Sequence, residues 1–447
     1  MTGSAPTKQR NWQFLAYAAP AFAFAMPTLP VYIYLPSFYA DKLGLGLATT
    51  GAIMFAARCF DAVTDPVAGL LSDRTRSRYG PRKPWIIVGA IIAALGLLLV
   101  VNPPDEPSGF YLLAAMIVLY TGWTAVMVPY TAWAAELSAD YDERAKITAL
   151  RETFGLLGIL AAALVPVALA TRGADDSAGL QAVAIAAVIS GAVGLTIMAR
   201  GTPHGTGVVP VNTPAFDLRR TLRQLGANKP FLRLGVGWFI NGLANGIPAV
   251  LFLLYLEYGL GADADSRGLF ILTYFLCAVF SMPLWNGLSK AFGKHRAWSV
   301  AMVCACLAFS AVPFIATGDF AAFLVVCVVT GAALGADLSL PPALQADVVD
   351  YHRLRSQTRD TGLFFAAWNL ITKFALAGAA GIGLYGVDVM GFDPQSPDVE
   401  GRHALIFLYA LVPVVLKITV IFLIWNFPID KNRQAIISRR LRTRKAT

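Results

Sequence analysis

The sequence has 447 residues, of which 57% are hydrophobic and only 14% are charged. Soluble domains carry about 25% charged residues, so this deficit excludes an ordinary soluble enzyme or binding domain and indicates a protein that lies in lipid. The net charge of +9 does not point to nucleic acid, because Lys and Arg collect in the cytoplasmic loops of membrane proteins. The five cysteines lie in apolar segments without metal-ligand spacing, and we predict that they are packing residues.

Apolar runs of about 20 residues recur along the whole chain, and each is long enough to cross a bilayer. The first run is longer than the core of a signal peptide and lacks a clear cleavage site, so we keep it as a helix. Most of the 36 Lys and Arg residues fall on one side of the predicted helices, which predicts that both termini are cytoplasmic. The twelve predicted transmembrane helices cover residues 12–39, 48–72, 84–102, 110–137, 147–170, 178–199, 231–257, 267–289, 296–317, 320–345, 360–386 and 403–427.

The second predicted helix carries the most informative charges. Asp61 and Asp65 are four residues apart and share one helical face with Arg58. Two carboxylates and one guanidinium leave one negative charge, which predicts a site for one monovalent cation, either Na⁺ or a proton. We expect Thr64 or a hydroxyl on a neighbouring helix to add an oxygen, and Pro66 frees a backbone carbonyl beside the aspartates. The alternative is a buried Arg–Asp ion pair that only holds helices together.

The loop after this helix is basic and begins at Asp73 and Arg74. Such a loop anchors the cytoplasmic side, and we further predict that these two residues form a charge latch in a cytoplasmic gate. The pattern of Pro66–Trp85 recurs in Pro283–Trp298. In both stretches a helix ends near glycine, a short basic loop follows, and the next helix begins at Trp. Repeated halves of this kind are typical of secondary transporters.

A segment rich in Pro and Gly, 201–230, divides the chain. We predict that it is a cytoplasmic linker loop between a six-helix half at 1–200 and a second half at 231–447, which ends in a basic cytoplasmic tail. The predicted fold class is therefore an all-α integral membrane protein with two pseudo-repeat halves.

The second half carries isolated polar residues inside its predicted helices. Lys373 lies in an apolar stretch and needs a partner, either an aspartate of the other half or an anionic group of a substrate. Lys417 lies nearer a helix end, from which its ammonium group is expected to reach the membrane surface. Asn241 and Asn245 share one face of the seventh helix, and they are candidates either to donate to a substrate or to bind neighbouring backbone.

Six short stretches resemble those of one transporter family. They are R-C-F-D-A-V-T-D-P at 58–66, G-L-L-S-D-R-T-R-S-R-Y-G at 69–80, P-W at 84–85, Y-D-E-R at 141–144, A-D-V-V-D-Y at 346–351 and W-N-L-I-T-K at 368–373. With these motifs the chain resembles the major facilitator superfamily, and more closely its glycoside–pentoside–hexuronide:cation symporter family of melibiose permease-like proteins. The resemblance extends over both halves, and it implies a twelve-helix fold and Na⁺- or H⁺-coupled sugar transport by alternating access.

The resemblance also implies roles for individual residues. Asp61 and Asp65 match the cation-site carboxylates and Thr124 matches a cation-site hydroxyl, and we assign Arg58 to the same site. Trp133 and Trp368 are further aromatic candidates for substrate contact, with packing as the alternative. The candidate substrate contacts are Arg151, Lys373, Trp123, Met127 and Asn369.

Two positions depart from the galactoside-recognising members of the family, which place one Asp on the first helix and one on the fourth. Here Ala25 lies near the first position and Met127 occupies the second, while Arg151 and Lys373 remain. The charge of the predicted cavity therefore shifts toward positive, and we predict a substrate with an anionic group, such as a hexuronide, another acidic sugar or an organic acid. A lysolipid is the alternative, because the vertebrate lysophospholipid symporter resembles the same family.

Hypotheses from other classes are an intramembrane prenyltransferase-like enzyme and a passive channel or receptor. Prenyltransferases hold Mg²⁺ and diphosphate with Asp-rich motifs, and this chain has D-A-V-T-D and D-V-V-D. No G-x-x-x-x-G-K-[ST] motif occurs, so ATP-driven transport is not expected. We therefore predict a symporter and not an enzyme, in the inner membrane of a bacterial-type cell. Its expected partners are a small-molecule solute, a coupling cation and the lipid bilayer, with no other cofactor, no nucleic acid and a monomer as the functional unit.

Overall fold

The computed structural model describes residues 7–137, 141–170, 176–203, 218–356 and 361–446. Every regular element in these ranges is helical. A bilayer favours this outcome, because a helix satisfies its backbone hydrogen bonds internally where no water is available.

Twelve long helices account for most of the chain, and we number them α1 to α12. Helix α1 begins as Thr7–Ala25 and continues through π-helical turns at Pro30–Tyr34 and Phe38–Lys42. The others are α2 (Leu47–Arg74), α3 (Lys83–Val101), α4 (Gly109–Leu137), α5 (Tyr141–Ala170), α6 (Asp176–Gly201), α7 (Lys229–Leu254, with a π-helical turn at Tyr255–Gly259), α8 (Ala264–Phe292), α9 (Lys294–Ala311), α10 (Phe320–Ser356), α11 (Thr361–Val389) and α12 (Val399–Ile406, Phe407–Leu411 and Val412–Ile424).

Within the described ranges, 11 helices have both the length and the apolar composition to cross a membrane. The twelfth, α2, has 28 residues, which is more than the roughly 20 needed to span the hydrocarbon core. Its hydropathy is lowered by the charges of Arg58, Asp61, Asp65, Asp73 and Arg74. The predicted all-α membrane fold is confirmed, and the cytoplasmic location of the termini stays a prediction.

The chain divides into two compact units, Met1–Thr213 (unit 1) and Pro214–Thr447 (unit 2). In unit 1, α1 packs on α5 and α6, α2 packs on α4, and α3 packs on α4 and α6. In unit 2 the same pairs recur six helices later: α7 packs on α11 and α12, α8 on α10, and α9 on α10 and α12. Each unit is thus a bundle of six helices, and these five packing pairs are common to both.

Helices α1 and α7 end in the same way. Each finishes in a π-helical turn, Phe38–Lys42 in α1 and Tyr255–Gly259 in α7. A glycine with positive φ follows each turn, Gly44 at 66° and Gly261 at 73°, in a conformation that is costly for residues with a side chain. The shared ending is a second structural sign of the repeat.

Glycines bring α3 and α4 close together in unit 1. A Cβ atom at Gly122 would lie 2.1 Å from the backbone nitrogen of Ala93, and one at Gly96 would lie 2.3 Å from that of Leu119. Small residues allow such approaches between transmembrane helices, where van der Waals packing drives association. Thr124 lies two residues after Gly122 and therefore about 200° around the helix, on the side that meets α2.

Two segments differ from the sequence predictions. Residues 204–217 of the predicted linker loop lie outside the described residues, but Leu218–Ala227 forms a helix (the linker helix). The reason is its leucine spacing of three to four residues, an amphipathic period that its basic character obscured. In the second repeat, Gly293 alone separates α8 from α9, so the predicted basic loop is divided between the last turn of α8, with Lys290, and the first turn of α9, from Lys294.

Candidate cation and substrate sites

The two predicted carboxylates of α2 meet one hydroxyl of α4. The Oγ1 atom of Thr124 lies 2.8 Å from Oδ1 of Asp61 and 3.0 Å from Oδ1 of Asp65. Asp61 and Thr124 are buried, at 1% and 2% exposure, whereas Asp65 is half-buried. The structure therefore brings together the three oxygen-bearing residues that the sequence analysis assigned to the cation.

The single proton of the Thr124 hydroxyl faces two carboxylate oxygens in this cluster. A threonine hydroxyl carries a single proton, so it can donate to only one of the two carboxylate oxygens. The other oxygen approaches a lone pair of Thr124 at hydrogen-bond distance, which is favourable only when a proton or a metal ion lies between them. The three oxygens thus suit a carboxylic acid proton or a hard monovalent cation.

Arg58 is buried beside this cluster and is held mainly by aromatic rings. Its guanidinium carbon lies 4.1 Å from the ring centroid of Tyr32 and 4.5 Å from that of Tyr120. Its closest approach to Asp61 is 4.0 Å, which is longer than a direct hydrogen bond. The two rings therefore fix Arg58 by cation–π contacts, and its charge offsets one carboxylate without occupying the oxygens that meet Thr124.

Thr64 uses its proton within the helix, and its role as a cation ligand stays a prediction. Its hydroxyl donates to the backbone carbonyl of Asp61 at 3.0 Å, a common back-bond for threonine within a helix. The other option, a hydroxyl of a neighbouring helix, is the one that the structure shows in Thr124.

At the end of α2, the predicted latch involves a different arginine. Asp73 lies 2.6 Å from Arg82, which also contacts Glu136 of α4 at 2.8 Å and donates to Ser72 at 2.9 Å. Arg82 is buried, whereas Arg74 is exposed on the last turn of α2. The assignment of Arg74 to the latch is not supported by these contacts, and Arg82 is the residue that sequence reasoning passed over as one of several basic loop residues.

Unit 2 contains a similar ion pair at the corresponding place. Lys294, at the start of α9, lies 2.6 Å from Oδ2 and 2.8 Å from Oδ1 of Asp347 on α10. Asp350 lies 3.8 Å from Arg353 of the same helix. The carboxylates of the D-V-V-D motif are therefore engaged by basic side chains.

An apolar cavity of about 190 Å³ lies within unit 1, between α1, α3, α4 and α6. It contains two of the predicted substrate contacts, Trp123 and Met127, and all of its lining residues are apolar. The remaining contact of unit 1, Arg151 on α5, lies 2.5 Å from Glu152. Among the residues that form this cavity are Phe24, Leu97, Trp123, Met127, Val188 and Gly191.

The aromatic candidates outside the cavity are packing residues. Trp133 is fully buried and meets Tyr17 edge to face, with ring centroids 5.8 Å apart. Trp368 is 6% exposed and stacks on Trp238 at 4.8 Å. In each case the packing alternative is the one that the structure favours.

The other candidates of unit 2 lie on α11. Lys373 is half-buried and Asn369 is exposed. Their assignment as substrate contacts stays a prediction.

A cluster of unit 2 contradicts two readings of the sequence. Lys417 does not reach a surface but is buried, at 2% exposure, and it donates to Asn241 and Asn245. Both asparagines donate in turn to Asp337 of α10, rather than to backbone. The sequence analysis did not identify Asp337, although a single carboxylate in an apolar helix is itself a signal of function.

Comparisons with known proteins agree with this architecture. The MFS/sugar transport protein family matches residues 16–431. Human sodium-dependent lysophosphatidylcholine symporter 1 is 26% identical over 439 residues, which cover 89% of this chain and 79% of that protein. The uncharacterized symporter YnaJ of Bacillus subtilis (strain 168) is 25% identical over 441 residues, which cover 96% of this chain and 94% of YnaJ.

Solved structures with low sequence identity share the fold. A crystal structure of the nucleoside transporter NupG superposes with a TM-score of 0.71 at 11% identity, covering 92% of this chain and 100% of NupG. That of a D-xylose-proton symporter gives 0.66 at 14% identity, covering 93% of this chain and 97% of the other. At these identities the likeness establishes the fold alone.

The fold and the match together define a multi-pass membrane transporter of the major facilitator type. Within that class, the chain belongs to the MFS/sugar transport protein family and is a cation-coupled symporter. It is a transporter and not an enzyme, so the prenyltransferase-like alternative is wrong.

Proposed function

We propose that one Na⁺ or one proton binds at Asp61, Asp65 and Thr124 and drives the uptake of an organic solute by alternating access. The observation that supports this proposal is the position of the Thr124 hydroxyl, 2.8 Å from a carboxylate oxygen of Asp61 and 3.0 Å from one of Asp65. The hydroxyl has one proton and can therefore donate to only one of these oxygens at a time. A cation at this place satisfies both contacts. Because coupling is reciprocal, the cation strengthens solute binding by the same free energy by which the solute strengthens cation binding.

Arg58 supports a count of one exchangeable cation. It offsets one of the two carboxylates, and its cation–π contacts with Tyr32 and Tyr120 keep it beside the site throughout the cycle. The site then alternates between a state with the cation bound and a state without it, which carries one more negative charge. An anionic site is costly to move through lipid-surrounded protein, so reorientation without cation or solute is disfavoured.

The cluster of Arg82, Asp73 and Glu136 supports a gate at the end of α2 where it meets α4. Charge-assisted contacts of 2.6 and 2.8 Å join the two helices in the present state, and their rupture would free the helices to separate. We place this gate on the cytoplasmic side of a bacterial-type inner membrane, because the basic loops and both termini are predicted to lie there.

The apolar cavity of unit 1 favours a lysolipid as the solute. An engineered apolar cavity of about 150 Å³ binds benzene, so a space of about 190 Å³ accommodates several methylene groups of an acyl chain. Among the side chains that line it, only the indole N–H of Trp123 could serve a sugar hydroxyl, so most hydroxyl groups of a sugar would pay their desolvation cost. The match to sodium-dependent lysophosphatidylcholine symporters supports the same choice.

An acidic sugar is the second candidate, and two basic side chains favour it independently, Arg151 in unit 1 and Lys373 in unit 2. The family description names sugar transport, and the two basic side chains are suited to a carboxylate. Glu152 lies 2.5 Å from Arg151 and partly neutralises the positive charge of the guanidinium. This contact weakens the acidic sugar as a candidate relative to the lysolipid.

Uptake into proteoliposomes tests the proposal. The purified protein would be given lysolipid, a hexuronide, organic acids and a neutral galactoside, each with an inward Na⁺ gradient, an inward proton gradient or neither. We expect accumulation of lysolipid above its equilibrium level with one of the two gradients only. Gradient-driven accumulation of the neutral galactoside in preference to every anionic or zwitterionic compound would contradict the substrate assignment.

A further inference from the structure

The ammonium group of Lys417 is surrounded by side-chain oxygen atoms inside unit 2. It donates to Oδ1 of Asn241 at 3.1 Å and to Oδ1 of Asn245 at 2.8 Å. Oδ2 of Asp337 lies 3.7 Å from the same nitrogen. Asn241 and Trp298 are fully buried, and Asp337 is only 4% exposed, so the charges of this cluster balance one another away from solvent.

The asparagines are oriented so that their oxygens face the cation. Each donates its Nδ2 group to Asp337, at 3.1 Å from Asn241 and 2.9 Å from Asn245. Trp298 donates Nε1 to the same carboxylate at 2.5 Å. Because every donor except Lys417 points at Asp337, the amide oxygens remain for Lys417, and amide and carboxylate oxygens are the ligands that hard cations take.

The backbone of α10 has a carbonyl oxygen at Asp337 that lacks the usual hydrogen bond within the helix. Pro341 lies four residues after Asp337 within α10, and a proline cannot donate to the carbonyl four residues before it. The carbonyl of Asp337 is therefore released from the helix ladder. The same arrangement occurs in α2, where Pro66 releases a carbonyl next to Asp61, so the proposed cation site and this cluster share a carboxylate beside a proline-freed carbonyl.

We propose that Lys417 is a tethered cation, whose ammonium group occupies a monovalent-cation site built from Asp337, Asn241 and Asn245. One carboxylate and one ammonium leave this site neutral, whereas the α2 site offers two carboxylates to Arg58 and to the coupling cation of the proposed function. Unit 2 thus keeps its cation by a covalent bond, while the α2 site takes its cation from solution. The consequence that only one cation is exchanged per cycle rests on the proposed function, but the site itself does not.

Removal of the tethered charge should turn this cluster into a site for a free ion. Lys417→Met keeps most of the apolar stem but leaves Asp337 without its counter-charge, which is destabilising in a buried position. The test is the thermal unfolding midpoint of purified protein in NaCl and in choline chloride. Asp65→Asn serves as the background, because it removes one carboxylate of the proposed α2 cation site and hence the Na⁺ response expected from it.

We expect Lys417→Met in this background to unfold at a lower temperature in choline chloride and to regain on the order of 2–4 °C or more in NaCl. Asp65→Asn alone should not respond to Na⁺, and a response there would count against the α2 site rather than against this one. Adding Asp337→Asn to Lys417→Met removes the unpaired charge, and it should restore stability in both media and abolish the response.

A second variant covers the case in which Lys417→Met does not fold. Asn245→Asp keeps Lys417 but adds a carboxylate at a half-buried position, so it should also gain a stabilising response to Na⁺ in the Asp65→Asn background. If neither variant gains stability from Na⁺ while the Asp337→Asn, Lys417→Met double variant folds, the cluster is an ion pair that only holds α7, α10 and α12 together, and the proposal is overturned.

Discussion

At the scale of single residues, the Thr124 hydroxyl is the contact on which the cation site depends. Thr124→Val removes this hydroxyl with little change of shape. A hydrogen bond to a charged group contributes about 1.5–3 kcal/mol, so we expect the apparent affinity for the coupling cation to fall by about tenfold or more. The measurement is the cation concentration that gives half-maximal uptake.

Thr124→Ser is the matched control, since it keeps the hydroxyl and loses one methyl group. It should retain a half-saturating concentration close to that of the parent. An unchanged value in Thr124→Val would show that the hydroxyl does not take part in cation binding.

The residues of the two polar sites differ in how far they could be predicted from the sequence. Asp61, Asp65 and Arg58 were predictable because their partners lie within one helical face, where spacing in sequence fixes spacing in space. Thr124 was found only through family resemblance, because it is 63 positions from Asp61. The isolated carboxylate of Asp337 was visible in the sequence, but its partners were not predictable because they lie on three other helices.

At the scale of helices, Arg82 joins α2 to α4 through a buried contact. Arg82→Gln leaves Glu136 and Asp73 without their counter-charge. Breaking a buried pair from one side costs on the order of 3 kcal/mol, and the partial exposure of Asp73 reduces its share. We expect a clear loss of thermal stability of the purified protein and a faster, leakier transport cycle.

Arg74→Gln provides the control for this prediction, because Arg74 is an exposed arginine of the neighbouring turn. Exposed substitutions usually change stability by less than about 0.5 kcal/mol. Equal effects of the two substitutions would show that general loop charge, rather than the contact of Arg82, stabilises this end of the helix.

Helix α6 offers a direct test of the apolar cavity. A Cβ atom at Gly191 would meet only Ala23, at the ordinary contact distance of 3.5 Å, so Gly191→Ala should be tolerated. Gly191→Leu extends into the cavity and should compete with an acyl chain. We expect Gly191→Leu to lose lysolipid uptake several-fold while Gly191→Ala keeps it, and equal uptake by both would place the acyl chain elsewhere.

The helices themselves were largely predictable, and the exceptions have physical causes. Long apolar runs mark transmembrane helices because the bilayer fixes their length. The linker helix Leu218–Ala227 was missed because its short amphipathic pattern has no such length requirement. The turn at Gly293 was misjudged as a loop, because a single residue with φ of 90° reverses the chain without the additional residues that a loop supplies.

At the scale of the whole molecule, the two units share their packing but differ in how they compensate buried charge. In unit 1, two carboxylates of α2 meet the hydroxyl of α4, and we propose that a cation from solution is the positive partner there. In unit 2, Lys417 supplies that partner from within the chain. A repeated fold has thus acquired different polar sites in its two copies, which internal sequence similarity alone does not reveal.

The central claim is that the cation at Asp61, Asp65 and Thr124 couples the gradient to solute movement. The most direct test compares accumulation and exchange of a transported solute in proteoliposomes for the parent protein, Asp65→Asn and Asp105→Asn. Asp105 is an exposed carboxylate of a loop in the same unit, so its substitution controls for loss of negative charge alone. The account predicts that Asp65→Asn loses gradient-driven accumulation but still exchanges solute across the membrane, whereas Asp105→Asn does both. Gradient-driven accumulation at the parent level by Asp65→Asn would contradict it.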